Sequence, residues 1–326
     1  MKFWFDLTNS PHVLFFSPFF EELKSRGHEY IITSRSHSQT ISLLKNLNIN
    51  SKIIDKHRGS NIISKSLGFF SRNRALKKAL FDEKIDVAVS HQSPYCMKVA
   101  YDLGISKRVY IFDNDMAKLQ NFLAFHYSTK IFCPEYLNND FEKYPGLKEG
   151  IYLWNFKPEL SVLENFNFKK EEFVIMRPAP WSAQYYKRKK EVLGNWIDHL
   201  KSDYDIVFFP RNEGQREYYS SNYGDYLNLV EKALDAPSLI CYSKFLVGAG
   251  GTMNREAVIL GKPVVSLYDS ELLSVDKWLI SNGLLHHNRS PEEFDFKSLE
   301  NKKYKGELLD KGKASFEKIM GYLVNA

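Results

Sequence analysis

Residues 245–269 read FLVGAGGTMNREAVILGKPVVSLYD, and this stretch decides the fold of the chain. An apolar run enters a glycine cluster, which is followed by Thr252, a helical pattern and a second apolar run. The order strand, glycine turn, helix and strand is typical of a βαβ unit, in which backbone N–H groups and a helix N-terminus face an anion. The stretch therefore predicts a phosphate-binding turn at Gly250, Gly251 and Thr252. The alternative is that the glycines only turn the chain tightly.

Three further residues favour nucleotide binding by this half of the chain. Glu256 lies four residues after Thr252, where a carboxylate can accept hydrogen bonds from both hydroxyl groups of a ribose. Arg211 follows a buried apolar run in FFPRNEGQR, and a guanidinium there is suited to bidentate contact with a phosphate. A surface ion pair with Glu213 is its alternative role. Arg177 follows another such run and is a third candidate for contact with the nucleotide.

Composition excludes several classes of protein. The chain of 326 residues is long enough for two domains, and 44% of its residues are hydrophobic, so each domain can bury a core. The net charge of +6 is modest and spread along the chain, which favours anionic ligands over nucleic acid. The three cysteines are far apart in sequence and predict neither a metal site nor disulfide bonds. Asp6 interrupts the first apolar run, so we expect no signal peptide, and together with the cysteines this predicts a cytoplasmic location. We expect no cofactor, since the bound nucleotide would be part of the substrate.

Strand-length apolar runs alternate with amphipathic helical stretches, which predicts parallel sheets covered on both faces. We expect strands at residues 2–7, 29–33, 51–54, 86–89, 108–112 and 130–133, and again at 172–176, 205–209, 245–247 and 263–267. The predicted fold class is therefore α/β with two doubly wound domains, at residues 1–152 and 153–326. The predicted linker is 150–158, which ends in a helix-breaking proline. The closing segment, 305–324, is long enough to pack back on the first domain.

Ligands of doubly wound domains bind beyond the carboxyl ends of the strands, so polar residues after each strand are candidate functional groups. His12 follows the first strand at a helix start, where a neutral imidazole facing the cleft can act as a general base; its alternative role is a hydrogen bond to the backbone. Arg35 follows the second strand, and His91 follows the fourth, where it can contact a phosphate or sugar hydroxyl. Asp113 and Asp115 follow the fifth and can supply an acid and a base. A metal site would need a third carboxylate, and none is near in sequence.

A basic and apolar segment precedes the fourth strand. Residues 61–81, NIISKSLGFFSRNRALKKALF, combine large apolar side chains with five basic residues and no acidic one. Such a helix can lie on the inner face of an anionic membrane or hold a lipid-linked acceptor. An ordinary crossover helix that buries one face is the alternative.

The chain resembles the family called domain of unknown function 354 in five motifs, which are DLTNSPHVLFFSPFFEELKSRGHEYIITSR, SHQSPY, FDNDMAKLQN, PRNEGQRE and VGAGGTMNREAVILGKPVVS. The resemblance extends over nearly the whole chain. That family is similar to the GT-B superfamily, which includes nucleotide-sugar glycosyltransferases and the non-hydrolysing UDP-N-acetylglucosamine 2-epimerases. The resemblance implies two facing Rossmann-like domains and a nucleotide sugar, such as a UDP-sugar, bound by the second.

The first motif is also similar to the start of the lipid-linked N-acetylglucosaminyltransferase of peptidoglycan synthesis. In that enzyme a glycine-rich loop ends in a histidine, which His12 matches. Asn9, Ser10 and Pro11 stand where the glycines would be. We therefore expect the side chains of Asn9 and Ser10, rather than backbone groups, to contact the nucleotide sugar.

These observations support three hypotheses. The first is a metal-independent GT-B glycosyltransferase of surface-polysaccharide or glycolipid synthesis, with His12 as base and a sugar or lipid-linked acceptor. The second is a nucleotide-sugar 2-epimerase, whose acid–base groups would be His91, Asp113 and Asp115. It lacks the Arg-Pro-Glu sequence that the epimerases carry in the first loop. The third is a non-catalytic nucleotide-sugar-binding subunit that needs a membrane partner.

Overall fold

The computed structural model describes residues 1–36, 40–56, 62–179, 190–230, 234–296, 299 and 305–325. The chain divides into two units, the first formed by Met1–Tyr152 with Lys311–Ala326 and the second by Leu153–Asp310. Each unit is an α/β structure built on a sheet whose strands run parallel.

The first unit alternates strands and helices from its start. Its elements are β1 (Lys2–Leu7), α1 (Ser10–Ser25), β2 (Glu29–Ser36), α2 (Thr40–Asn46), β3 (Lys52–Lys56), α3 (Ile62–Leu80), β4 (Val87–His91), α4 (Pro94–Asp102), β5 (Lys107–Ile111), α5 (Lys118–Tyr127), β6 (Lys130–Pro134), β7 (Glu142–Tyr144) and α6 (Gly150–Leu153). In β1, Phe3, Trp4 and Phe5 are all fully buried. Helices cover both faces of a parallel sheet, which is why this strand reads as a continuous apolar run.

The sheet of the first unit has seven strands in the order β3-β2-β1-β4-β5-β6-β7. From β1 the chain progresses towards one edge, and from β4 it progresses towards the other. Asp6 of β1 is in register with Ser90 of β4 at this reversal. Such a reversal is the topological switch point at which doubly wound sheets bind ligands.

The second unit repeats the arrangement. Its elements are a 3₁₀ helix (Leu160–Asn165), β8 (Phe173–Arg177), α7 (Lys190–Leu200), β9 (Asp205–Phe208), α8 (Glu213–Tyr223), a 3₁₀ turn (Gly224–Tyr226), β10 (Leu227–Leu229), α9 (Ala236–Tyr242), β11 (Leu246–Gly248), α10 (Thr252–Ile259), β12 (Val264–Ser266), α11 (Ser274–Ser281), β13 (His286–His287) and a 3₁₀ turn (Pro291–Glu293). Its strand order is β10-β9-β8-β11-β12-β13. The switch point lies between β8 and β11, where Arg177 is in register with Gly248.

The last helix, α12 (Lys305–Val324), contributes its residues from Lys311 onward to the first unit. Ser315 and Ile319 are fully buried, and the hydroxyl of Ser315 donates a hydrogen bond to the carbonyl of Pro145. The ring of Phe316 packs edge-on against Phe19 of α1, with ring centroids 5.0 Å apart. This helix therefore fills part of the core of the first unit.

Every strand expected from the sequence overlaps an observed strand, and the fold class is confirmed. Sequence reasoning missed β7, β10 and β13, which have three residues or fewer and lie at sheet edges or beside them. The chain passes from the first unit to the second between residues 152 and 153, inside the expected linker of 150–158, whose first residues form the short helix α6.

The basic segment before β4 behaves mainly as a crossover helix. Leu76 and Leu80 of α3 are fully buried in the core, whereas Phe70 is 72% exposed and Phe81, just beyond the helix, is 70% exposed. Residue 61, the first of the segment, lies outside the described residues. Within the described ranges, none of the helices combines the length and the apolar character that a membrane span requires.

Candidate functional site

The switch point of the first unit gathers polar side chains from four parts of the chain. Residues 8–12 follow β1, His91 ends β4, and Asp113 follows β5. Lys148 reaches the same place from the turn before α6. The carboxyl ends of parallel strands meet at one edge of a sheet, so residues far apart in sequence become neighbours there.

His12, His91, Asp113 and Lys148 form one continuous network, called the histidine network below. His91 Nδ1 lies 3.3 Å from His12 Nε2, and His91 Nε2 lies 3.3 Å from Asp113 Oδ1. Lys148 Nζ contacts the other carboxylate oxygen, Asp113 Oδ2, at 2.7 Å. The side chains of His91 and Asp113 are 2% and 3% exposed. Shielding from bulk water strengthens each electrostatic contact in the network.

The backbone sets the direction of hydrogen bonding along this network. The N–H of Thr8 donates to Nδ1 of His12 at 3.3 Å, so Nδ1 carries no proton. In the neutral ring the proton is then on Nε2, which donates to His91 Nδ1. The proton of a neutral His91 is then on Nε2, the nitrogen that lies 3.3 Å from Asp113 Oδ1. Burial lowers the pKa of His12 well below its usual value, and His91 and Lys148 lower it further against the opposing charge of Asp113. His12 is therefore a neutral imidazole at physiological pH.

His12 differs from the sequence-based expectation in its accessibility. We expected an imidazole facing an open cleft, but the residue is only 4% exposed, and both ring nitrogens contact protein atoms. The physical reason is that α1 begins at Ser10, with Asn9 as its N-cap residue, so that His12 falls on the buried face of the first turn. A proton received by His12 can pass to His91 and Asp113.

Asn9 and Ser10 lie nearer the surface than His12. Asn9 is exposed and makes no side-chain cap of α1. The hydroxyl of Ser10 lies 3.1 Å from that of Thr40, which belongs to α2. Both residues stand at the carboxyl end of β1, where a ligand of the first unit would reach them first.

The loop after β5 is held by amide side chains. Gln92 Nε2 donates to the carbonyl of Asn114 at 3.3 Å, and Asn121 Nδ2 donates to the same carbonyl at 2.8 Å. Gln92 has a φ of 48°, a left-handed conformation that is uncommon for residues other than glycine and is found at functional sites. Asp115 lies in this loop and is more exposed than Asp113. Within the described ranges, no group of three or more His, Cys, Asp or Glu side chains is arranged so that it could hold a metal ion.

The second unit carries the glycine turn at its own switch point. Gly250 and Gly251 have φ values of 78° and 94°, and α10 begins immediately after them at Thr252. A Cβ atom on Gly250 would lie 3.0 Å from the ring of Tyr268, so this position has little room for a larger side chain. The turn thus delivers the first N–H groups of α10 to the carboxyl edge of the sheet, where they can bind an anion.

Arg211 lies beside this turn. A Cβ atom on Gly251 would be 3.9 Å from Arg211 Nη2. The position of the guanidinium is fixed by a hydrogen bond that its Nε donates to the carbonyl of Pro178 at 2.7 Å. Gln215 braces the same region, accepting from the Arg211 N–H at 2.8 Å and donating to the carbonyl of Ala179 at 2.6 Å. The structure therefore brings a positive charge to the glycine turn.

Glu256 and Arg177 lie together at the same switch point. Glu256 is 2% exposed on α10, and Arg177 ends β8. Burial lowers the pKa of Arg177, while the negative charge of Glu256 acts in the opposite direction. Glu256 is therefore one turn into the helix that starts at the glycines and next to a cation, rather than in open solvent.

Lys148 is the functional candidate that sequence reasoning missed. It belongs to none of the strand-exit segments, and its neighbours PGLKEG predict only a turn. Its position depends on β7 and on the turn that leads into α6. A lone lysine in a polar turn carries no signal that could have identified it.

Comparisons with known proteins agree with this architecture. The family model described as Protein of unknown function (DUF354) matches residues 1–323. The uncharacterized protein MJ0665 of Methanocaldococcus jannaschii is 32% identical, over 98% of this chain and 98% of its own length.

Among solved structures, the UDP-GlcNAc 2-epimerase of Methanocaldococcus jannaschii in complex with UDP-GlcNAc and UDP is similar, with a TM-score of 0.73 and 18% identity over all of both chains. Acinetobacter baumannii MurG matches with a TM-score of 0.60 and 14% identity, again over all of both chains. At these identities the similarity shows the fold, which is GT-B. The chain therefore has a GT-B fold and belongs to the family of proteins of unknown function DUF354.

Proposed function

We propose that this protein is a glycosyltransferase that takes its sugar from a nucleotide-diphosphate sugar. The observation that carries the proposal is the glycine turn of the second unit, with Arg211 beside Gly251 and Glu256 on the helix that follows. Phosphate groups, a helix N-terminus and a guanidinium are complementary in charge and geometry. The solved structures of similar fold include proteins in complex with UDP or UDP-GlcNAc, which supports a UDP-sugar as donor.

In this proposal the second unit stabilises the leaving group. The bond between the sugar C1 and the diphosphate oxygen breaks, and negative charge accumulates on the nucleoside diphosphate. The N–H groups at the start of α10 and the guanidinium of Arg211 would receive that charge without reorganisation. Glu256 would accept hydrogen bonds from the ribose hydroxyls, with the guanidinium of Arg177 beside its carboxylate.

The histidine network of the first unit would remove the proton from the acceptor hydroxyl. As the acceptor oxygen bonds to C1, its proton would move to Nδ1 of His12, which must first exchange its hydrogen bond from the Thr8 N–H for one from the acceptor hydroxyl. The Nε2 proton of His12 passes to His91, and the proton of His91 Nε2 passes to Asp113. His12 is neutral before the reaction, and its lowered pKa favours passing an incoming proton on rather than holding it. Before the network takes up the proton, the positive charge of Lys148 balances the negative charge of Asp113.

The second candidate reaction is epimerisation at carbon 2 of the nucleotide sugar. It is favoured by the placement of His91, Asp113 and Asp115 at the exits of two adjacent strands, since elimination and re-addition need an acid and a base close together. We rank it second because the chain lacks the Arg-Pro-Glu sequence in the loop after β1.

Product analysis separates the candidates. The protein is incubated with UDP- and GDP-sugars, with and without sugar, sugar-phosphate or lipid-linked acceptors, and nucleotide release and sugar stereochemistry are measured. UDP or GDP released only when acceptor is present supports transfer. Inversion at carbon 2 without acceptor would replace transfer by epimerisation. Binding without turnover would support a non-catalytic subunit.

A nucleotide-binding assay tests the framework that these candidates share. Glu256→Gln keeps the shape of the side chain but removes its charge, so UDP affinity should fall by about 1.5–3 kcal/mol, the usual scale for hydrogen bonds to charged groups. The control is Glu213→Gln, since that side chain is 72% exposed at the start of α8. Equal UDP affinity for both folded variants would remove the ribose assignment.

A further inference from the structure

Arg35 sits at the carboxyl end of β2, on the same edge of the sheet as the histidine network. Its guanidinium stacks on the ring of Tyr95, with 4.5 Å between the guanidinium carbon and the ring centroid. Stacking occupies the face of the guanidinium and leaves its N–H edges available to an acceptor in the plane. The Nε atom of Arg35 is buried and has no hydrogen-bond partner among the described residues. A buried donor without an acceptor is costly, which indicates a position built for an incoming oxygen atom.

A second arginine next to it differs in having a carboxylate partner, although its own Nε is likewise buried without a hydrogen-bond partner among the described residues. Arg72 lies on the same Tyr95 ring, at 5.6 Å, but its Nη2 binds Asp6 Oδ1 at 2.6 Å and the pair is fully buried. The Asp6 carboxylate also accepts hydrogen bonds from the hydroxyls of Thr33 and Ser93, both at 2.7 Å. Asp6 therefore balances Arg72 and has no free oxygen directed at Arg35.

The electrostatic surroundings of Arg35 favour an anion. Two guanidinium groups share one aromatic ring, and among the described residues Asp6 is the one carboxylate that is hydrogen-bonded to either of them. Tyr95 also lies in the first turn of α4, a helix of nine residues capped by Ser93. The positive end of that helix adds to the uncompensated charge of Arg35.

We propose that Arg35 and Tyr95 form a phosphate-binding site in the first unit, separate from the glycine turn of the second. The ligand class is a phosphate ester or diphosphate, such as a sugar phosphate or a lipid-linked phosphate. The inference rests on the proposed function where it identifies this phosphate as part of the acceptor substrate. Guanidinium edges bind two phosphate oxygens at once, and the buried Nε provides one of the two donors. An acceptor held in this way would place its hydroxyl group within the unit that carries the histidine network.

Calorimetric titration with inorganic pyrophosphate tests the site without requiring turnover. The titration is made in the Arg211→Gln variant, in which the glycine turn of the second unit has lost its guanidinium. We expect one molecule of pyrophosphate to bind, and Arg35→Gln to weaken that binding about tenfold or more. Arg35→Lys keeps the charge without the planar fork and should lose part of the affinity. Arg74→Gln, an exposed position on α3, removes the same charge and should change nothing.

Each result bears on the proposal independently of the glycosyltransferase assignment. Three results would overturn the proposal of a phosphate site at Arg35. They are an unchanged pyrophosphate affinity in Arg35→Gln, equal losses of affinity in Arg35→Gln and Arg74→Gln, and no binding of pyrophosphate to the parent protein. A failure of UDP to bind would count against the proposed function and leave the Arg35 comparison intact. Displacement of pyrophosphate by a soluble sugar phosphate points to a soluble acceptor. Sedimentation with vesicles containing a polyprenyl phosphate, lost in Arg35→Gln, points to a lipid-linked one.

Discussion

Replacing Lys148 by methionine tests whether the histidine network is a buried charge system. The ammonium group of Lys148 lies 2.7 Å from Asp113 Oδ2 and 3.8 Å from Glu149 Oε1, and the three side chains are 13%, 3% and 1% exposed. Methionine preserves most of the side-chain volume but removes the positive charge. Loss of one partner from a buried pair costs about 3–5 kcal/mol, and the partial exposure of Lys148 favours the lower end, about 3 kcal/mol.

Urea unfolding of the variants measures this loss. The double variant Lys148→Met with Asp113→Asn removes both charges and should recover at least half of the lost stability, because no uncompensated carboxylate remains at position 113. The control is Lys201→Met, whose ammonium also lies 2.7 Å from a carboxylate, that of Asp198, but with side chains 28% and 52% exposed. Equal effects of Lys148→Met and Lys201→Met on stability would refute the argument from burial.

Four more substitutions give distinct outcomes in the same unfolding assay. Gly251→Ala should destabilise by about 1–3 kcal/mol because its φ of 94° and ψ of −168° suit glycine only, whereas Gly321→Ala in α12, where a Cβ meets no atom within 4 Å, should stabilise by about 0.5–1 kcal/mol. A loss at both glycines would contradict this conformational argument. Because the pKa of His12 is lowered in the folded protein, the unfolded chain binds the proton more readily. The free energy of unfolding is therefore retained above about pH 6.5 and falls by about 1.4 kcal/mol per pH unit below it. His12→Gln should reduce this dependence on pH, and an unchanged dependence would exclude a neutral buried imidazole. Asp6→Asn should cost about 3–5 kcal/mol since Arg72 would lose its counter-charge, and a loss below about 1 kcal/mol would show that the pair is not shielded from solvent.

The fold could be predicted because buried parallel strands are continuous apolar runs. KFWFDL in β1 and FVIMR in β8 carry that signal plainly. The strands β10 (LNL) and β13 (HH), which end the second sheet, are too short and too polar to show it. Their formation depends on the neighbour already in place, which supplies the hydrogen-bonding edge.

The residues of the candidate site that follow strands could be predicted from the sequence, whereas the side chains that contact them could not. The switch-point rule places His12, His91 and Asp113 at one edge because strand order alone brings them together. The depth at which His12 is buried depends on where α1 begins. The ion pair from Lys148 depends on the path of the chain through β7, which no local pattern encodes.

The placement of α12 has a consequence for how the molecule is made. The first unit is not contiguous in sequence, since its core includes Phe316 and Ile319, which are translated after the whole second unit. The rings of Phe19 and Phe132 pack against Phe316 and Tyr322 of α12, the latter pair with ring centroids 5.5 Å apart. During synthesis these contacts can form only after α12 has left the ribosome. Residues 1–152 expressed alone should therefore expose an apolar groove and aggregate, whereas addition of α12 as a separate peptide should restore solubility.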